Sequence, residues 1–313
     1  MSQFAFGKTY IPSETSEVNF IVDTMHQGGT SLGVFALVPW IFRIVRALPF
    51  LGRPLVRFDA WAHQVVVERR AVNSAPPDVF QHMLTRFEET NEKTPALEMQ
   101  LESDAITIAI AGTDTTAAAL TAILWYLATH PKHIQILRNE LASISFEPTT
   151  PDHGKLASLK HLRAVIDESM RLCPPAPVTG VGWRMTPSTG LQLGSRFTPG
   201  GVQVFVAPYI AHHDERFFVN AESFIPERWT DRKAELVREG SLFMPFSMGP
   251  HGCVGKSLAL AEIRLVIASL MARFDIEVGS GETQETFRGK QRDMLTMMYG
   301  DIKLVFRVRD EIA

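Results

Sequence analysis

Apolar residues recur at helical spacing through most of the first two thirds of the chain. Positions three and four residues apart share one face of a helix, so this pattern predicts amphipathic helices. Proline, glycine or polar clusters separate them, as is usual at helix ends. The predicted helices span residues 17–27, 53–72, 77–90, 101–130, 131–144 and 159–172.

The pattern changes after residue 178. Residues 178–208 are rich in Gly, Pro, Thr and Val, which predicts short strands with a turn at 198–201. A strongly apolar helix is predicted at 256–274, and residues 276–309 have the pattern of a hairpin-like β segment. The sequence therefore predicts a mainly α fold with a minor β region near its C-terminal end.

Composition restricts the class of protein. The 313 residues are 45% hydrophobic, which is enough to bury one large domain or two small ones. Charges nearly balance, at 31 basic and 34 acidic residues, so no basic excess indicates a nucleic-acid partner. With only two cysteines, Cys173 and Cys253, a disulfide framework is not expected and a reducing, intracellular compartment fits better.

Two segments are candidate membrane elements. Residues 105–128 are long and apolar enough to span a bilayer, but they carry Asp114, and a charge at the bilayer centre is costly. A buried helix is the favoured interpretation, and a helical membrane protein is the alternative. Residues 31–51 are apolar with interrupting Pro and Arg, which fits contact with a membrane surface. The first ten residues lack the pattern of a signal peptide.

The stretch 243–259, FMPFSMGPHGCVGKSLA, carries the strongest chemical signal. Cys253 stands between Gly252 and Gly255, directly before a predicted helix. Glycines let the backbone approach a ligand closely, and free N–H groups at a helix start stabilise negative charge. A cysteine in that setting is available as a thiolate, and Phe246 provides an apolar wall. A small buried cysteine in a glycine-rich turn is the alternative.

The spacing Phe246-x-x-Gly249-x-x-x-Cys253-x-Gly255 resembles the haem-binding signature of the cytochrome P450 family. This resemblance implies a haem-ligand loop at 243–256. In it, the Cys253 thiolate binds the iron of haem b (iron protoporphyrin IX), while Phe246, Gly249 and Gly255 line the cofactor. A thiolate ligand pushes electron density onto the iron and favours O–O cleavage.

The predicted helix at 101–130 contains the sequence AGTDTT, which begins at Ala111. Polar side chains in the middle of an apolar helix are costly unless they have a use. The sequence matches the family's A-G-x-D-T-T oxygen-activation motif. By that resemblance Thr115 hydrogen-bonds the dioxygen, Asp114 supplies protons, and Ala111 and Gly112 lie over the haem face. A packing seam of small residues or a simple kink is the alternative.

A charged scaffold is predicted from two short motifs. Glu168 and Arg171 are three residues apart and share one helix face, which by itself indicates a surface pair of little value. The later sequence Pro226-Glu-Arg-Trp resembles the family's PERF/PERW element. The resemblance implies that Glu168, Arg171 and Arg228 form a structural triad that fixes the loop leading to Cys253.

Two further positions are expected at the haem propionates. Arg184, on a predicted strand, has the place of a propionate-binding arginine in the family. His251 stands two residues before the cysteine, where the family often has arginine, and a histidine serves there only when protonated. The adjacent His212 and His213 are given no function, since neighbouring histidines in a loop are usually solvent-exposed.

The resemblance implies an enzyme. The expected reaction inserts one oxygen atom of O2 into a lipophilic small molecule, such as a terpenoid or aromatic compound of fungal secondary metabolism. An NADPH-dependent reductase is the expected electron donor, and membrane association at the endoplasmic reticulum is the family's usual location. A catalytically inactive remnant without stable haem binding is the alternative function.

The resemblance covers residues 1–313 but only the C-terminal part of a single P450 domain. The sequence FAFGK at 4–8 is similar to a phrase found partway into fungal members. The expectation is therefore an incomplete P450 fold that lacks N-terminal helices, first strands and membrane anchor. We expect poor solubility or weak haem retention, because apolar faces that pack on those helices would be exposed. The apolar segments 13–57 and 178–183, with the stretch just upstream of Gly112, favour a lipophilic substrate.

Overall fold

The chain divides into two compact units between Asp114 and Thr115. Apart from a few isolated positions between 40 and 48, the structure, a computed structural model, describes residues 52–71, 78–90, 94–144, 152–178 and 182–309. The helix predicted at 17–27 and most of the segment 31–51 lie outside the described residues.

The first unit is helical where it is described. It contains α1 (Arg53–Arg70), α2 (Val79–Glu88) and the first part of α3 (Pro95–Thr129). Asp78 caps α2, because its carboxylate accepts a hydrogen bond from Gln81 N at 2.7 Å. The core of this unit is formed by Trp61, Val65, Val66, Phe80, Leu84, Phe87, Leu101, Ala105 and Ala109.

The long helix α3 was predicted at 101–130 and begins earlier, at Pro95. It ends at Thr129 because the residue before Pro131 is biased away from helical backbone angles. Ala119, Ile123 and Leu127 in its second part are buried in the core of the second unit. Among the described helices α3 is long and apolar enough to cross a membrane, a test that core helices of soluble proteins also pass.

The second unit contains most of the remaining helices. Its elements are α4 (Pro131–Leu141), α5 (His153–Ser158), α6 (Lys160–Leu172), α7 (Pro208–His212), α8 (Lys233–Leu236), α9 (Lys256–Arg273), α10 (Gln284–Gly289) and 3₁₀ turns at Pro226–Trp229 and Gly249–His251. Helix α9 packs on α4 and α5 and buries one face at three- and four-residue spacing. That face consists of Leu260, Ile263, Ile267 and Met271.

The strands form small antiparallel pairs. β1 (Arg184–Met185) pairs with β4 (Gln203–Val204), β2 (Leu191–Leu193) with β3 (Arg196–Thr198), β5 (Phe274–Val278) with β8 (Leu304–Val308), and β6 (Gln291–Met294) with β7 (Thr296–Tyr299). The predicted β regions are therefore right. The short helix α10, which lies between β5 and β6, was not predicted from the pattern.

A buried pair of histidines joins α4 to α6. His133 Nδ1 and His161 Nε2 are 3.1 Å apart, and the rings stack with centroids 5.1 Å apart. Burial lowers the pKa of His133 to about 4 and also lowers the pKa of His161. Both rings are therefore neutral in the folded protein near pH 7.

This pair makes folding sensitive to acid. Free histidines have a pKa of about 6.5, so below that pH the unfolded chain binds protons first. The stabilisation is present above about pH 6.5 and is lost as the pH falls toward about 4, the folded-state pKa of His133. We expect the urea midpoint to fall between pH 7 and pH 5, and His133→Leu to flatten this slope. His153→Leu is the control, because His153 is exposed, and it should leave the dependence of the urea midpoint on pH unchanged. The same unchanged dependence in His133→Leu would contradict the expectation.

Candidate functional site

The cysteine loop, residues 243–256, ends where α9 begins. Cys253 is exposed. Its backbone N–H donates to the carbonyl oxygen of Phe246 at 2.8 Å, which closes the loop on itself. Between them, Gly252 N donates to Gly249 O at 3.0 Å across the short 3₁₀ turn. The backbone thus holds the cysteine at the surface with its sulfur accessible.

Two glycines of the cysteine loop, Gly249 and Gly255, leave space at their Cβ positions. Gly249 has φ of +69°, which disfavours a side chain, and a Cβ placed there would meet no atom within 4 Å. A Cβ at Gly255 would lie 3.8 Å from Cys253 Sγ. Ser247 has φ of +57°, a left-handed conformation that is uncommon for a non-glycine residue. The loop therefore has open space at Gly249.

The start of α9 makes the surroundings of the sulfur electropositive. Gly255 is the N-cap and provides no side-chain hydrogen bond to the first turn. The N–H groups of that turn carry the positive end of the helix dipole, which stabilises an anion. Lys256 Nζ lies 5.8 Å from the centre of the Phe246 ring, and Phe246 itself packs against the core.

The donor set fits a haem better than a free metal ion. Within the described ranges there is no group of three or more His, Cys, Asp or Glu side chains that could hold a metal. A porphyrin brings four nitrogen ligands of its own, so one exposed thiolate suffices on the protein side. Cys253, with open space at Gly249, meets that requirement.

The other predicted haem contacts are placed as follows. His251 lies in the loop and is exposed. Arg184 lies on β1, and its guanidinium turns back to donate to the carbonyl oxygen of Trp183 at 3.1 Å. Among the described residues, neither side chain has a hydrogen bond to the cysteine loop that would fix it there. Their role toward propionates stays a prediction.

The predicted oxygen-activation motif lies inside α3, which continues through it without a break. Ala111 is exposed, whereas Gly112, Asp114 and Thr115 are half-buried and Thr116 is buried. Asp114 and Thr115 are consecutive, at the point where the first unit ends and the second begins.

The structure brings Glu168, Arg171 and Arg228 together, with all three side chains fully buried. Arg171 donates to Glu168 in bidentate fashion, with Nε–Oε2 and Nη2–Oε1 distances of 2.9 Å. Arg228 Nε donates to Glu168 Oε1 at 3.2 Å. A charge-assisted fork of this kind is among the stronger hydrogen bonds in proteins.

The same carboxylate also holds two groups that the sequence analysis did not assign. Trp229 Nε1 donates to Glu168 Oε2 at 2.9 Å, and Ile225 N donates to Glu168 Oε1 at 3.0 Å. The Trp229 ring lies 4.4 Å from that of Phe243, at the start of the cysteine loop. The sequence signal that could have assigned Trp229 to this network is its place directly after Arg228 in the Pro226-Glu-Arg-Trp motif.

A family model described as Cytochrome P450 matches residues 30–306 of this chain. The chain belongs to the cytochrome P450 family. The P450 monooxygenase FCK2 of Fusarium pseudograminearum is 36% identical over 309 residues, 99% of this chain and 56% of that protein. Tryprostatin B 6-hydroxylase of Aspergillus fumigatus is 35% identical over 284 residues, 90% of this chain and 50% of that protein. This P450 chain spans about half the length of the curated relatives it matches.

The fold agrees with solved P450 structures. The crystal structure of a cytochrome P450, CYP102L1, superimposes with a TM-score of 0.76 at 25% identity, covering 98% of this chain and 65% of that one. The predictions of family and of a mainly α P450 fold with minor β sheets are confirmed. The roles of the individual site residues stay predictions.

The buried carboxylate of Glu168 should be important for the stability of this P450 chain. Glu168→Gln removes the one negative charge between two buried guanidinium groups, and breaking such a network costs about 3–5 kcal/mol. We expect a large drop in the urea midpoint. Glu235→Gln is the matched control, because Glu235 pairs with Arg232 at the same i,i+3 spacing with both side chains exposed. Equal midpoints for the two variants would contradict the buried network.

Proposed function

We propose that this chain carries the haem-thiolate part of a monooxygenase that oxidises a lipophilic small molecule. In the balanced reaction, substrate, O2, NADPH and a proton give oxidised substrate, water and NADP⁺. The electrons reach the site from NADPH through a partner reductase. The exposed Cys253 beside the N-terminus of α9 is the observation that carries this proposal.

Cys253 would hold the haem iron through its sulfur. Gly249 and Gly255 would leave room for the porphyrin, with Phe246 beside it. We assign His251 and Arg184 to the propionates, since both are exposed cationic or protonatable side chains. A bound haem would supply the dioxygen chemistry, while the protein supplies binding, orientation and proton delivery.

Residues of α3 would manage protons and close approach. The Asp114 carboxyl would hold a proton from solvent, and the Thr115 Oγ1 hydroxyl would relay that proton into the haem site. Ala111 and Gly112 would let the cofactor come close to the helix backbone, because neither has a large side chain. Both acid and hydroxyl are half-buried, which keeps them within reach of water.

The substrate is a lipophilic secondary metabolite of a fungus, terpenoid or aromatic. Support comes from the similarity to fungal P450 monooxygenases, one of which is named for hydroxylating tryprostatin B. Three apolar segments are expected to line the substrate site. Most of 13–57 and half of 178–183 lie outside the described residues, whereas the stretch just upstream of Gly112 lies in α3. The proposed location is the surface of the endoplasmic reticulum, by family resemblance.

A spectrum of the haem-reconstituted chain tests the function. The reduced carbon-monoxide complex of the wild-type chain should show the red-shifted Soret band of thiolate ligation. Cys253→Ser should abolish that band because the thiolate is lost. Cys173→Ala should keep it, since Cys173 is buried and burial raises the pKa of its thiol. Failure of the wild-type chain to take up haem would instead favour an inactive remnant, and an unchanged band in Cys253→Ser would refute the assignment.

A further inference from the structure

The imidazole of His212 connects the end of α7 to the start of the cysteine loop. Its ring is fully buried. His212 Nε2 accepts a hydrogen bond from the backbone N–H of Met244 at 3.0 Å, and the ring centroid lies 5.3 Å from that of Phe243. This contact joins two segments that are 32 residues apart in the chain.

The hydrogen bond determines the tautomer of the ring. Because Nε2 accepts, the ring proton must lie on Nδ1, which has no hydrogen-bond partner among the described residues. Burial, with the positive charge of Arg171, lowers the pKa of His212 to about 3, so the ring stays neutral near pH 7. A buried N–H without a partner is unfavourable, and what the ring provides in return is one acceptor for Met244.

His212 is itself held by the buried charge network. Arg171 Nη1 donates to the backbone carbonyl of His212 at 2.7 Å. The same guanidinium is forked onto Glu168. The position of the imidazole is therefore set through its own backbone by groups with no exposure to solvent.

Two more backbone hydrogen bonds lead from Met244 to the cysteine. The carbonyl of Met244 accepts a hydrogen bond from the backbone N–H of Ser247 at 3.1 Å. Ser247 is the residue with φ of +57°. The carbonyl of Phe246 then accepts from Cys253 N at 2.8 Å. A shift of Met244 would change the loop conformation on which the Phe246–Cys253 bond depends.

We infer that His212 is a positioning residue, whose Nε2 acceptor fixes the cysteine loop to the Glu168–Arg171–Arg228 network. This role rests on the proposed function of Cys253 as the axial ligand and deepens it. His212 does not touch the reacting atoms. It acts through Met244 and holds Cys253 in place at the start of α9.

The test compares two replacements of His212, one that keeps a hydrogen-bond acceptor and one that keeps an aromatic ring without an acceptor. His212→Gln keeps an oxygen acceptor near the place of Nε2, whereas His212→Phe keeps the aromatic ring without the acceptor. The readout is hydrogen–deuterium exchange of the Cys253 amide in the haem-free chain. We expect the Cys253 amide to exchange about tenfold faster in His212→Phe than in the wild-type chain, which is within the range for leaving one buried amide, that of Met244, unpaired. In His212→Gln the Cys253 amide should exchange at close to the wild-type rate.

Global destabilisation is separated by a third variant. Leu137→Ala removes a fully buried side chain from α4 and lowers stability without touching the loop. The two variants are compared under conditions where their free energies of unfolding are equal. The Cys253 amide should then exchange more slowly in Leu137→Ala than in His212→Phe. Equal exchange in these two variants, or equal acceleration by Gln and Phe, would reduce His212 to a packing residue and overturn the inference.

The wild-type chain provides a test that needs no variant. Nitrogen chemical shifts distinguish the two neutral tautomers of histidine, and we expect His212 to carry its proton on Nδ1. A proton on Nε2 would make the Met244 bond impossible and overturn the inference. Because these readouts use haem-free protein, their failure is distinct from a failure to bind haem.

Discussion

The fully buried carboxylate of Glu168 joins two fully buried guanidinium groups in the second unit, those of Arg171 and Arg228. The irregular segment after α7 has few strand or helix partners for its carbonyl groups, and buried carbonyls need donors. Arg171 and Arg228 supply them. Their guanidiniums donate to the carbonyls of His212, Val219, Asn220, Ala221, Ser223 and Leu236. Neither guanidinium could stay buried in this way without Glu168 between them.

This network explains why an exposed cysteine has a defined place. Trp229 donates directly to the Glu168 carboxylate, and His212 is linked to it through Arg171. Trp229 contacts Phe243 and His212 accepts from Met244, so both hold the start of the cysteine loop. At the other end of the loop, α9 is anchored by its apolar face. The loop between is short and closed by its own hydrogen bonds, so the sulfur stays beside the start of the helix.

Local signals in the sequence predicted the elements well. Proline at 131 marked a helix end because it acts through its own backbone. Asp78, by contrast, is the N-cap of α2, although it lies inside the helix predicted at 77–90. The glycine spacing around Cys253 is a signal of the same local kind, and the haem-ligand role that it predicts stays a prediction. The contacts of His212 with Met244 and of His133 with His161 were not predictable, because they join residues 32 and 28 positions apart and depend on how elements pack. His212 was accordingly expected to be exposed, but it is buried.

The protein's own hydrogen bonds set the cysteine loop before any cofactor binds. Amide exchange of the wild-type chain, measured without and with haemin, tests this preorganisation. We predict that the Cys253 amide, bonded to Phe246, is already protected in the haem-free chain, together with the Ile225 amide on Glu168. Exchange of the Cys253 amide at the rate of an unstructured peptide until haemin is added, while Ile225 stays protected, would contradict the account.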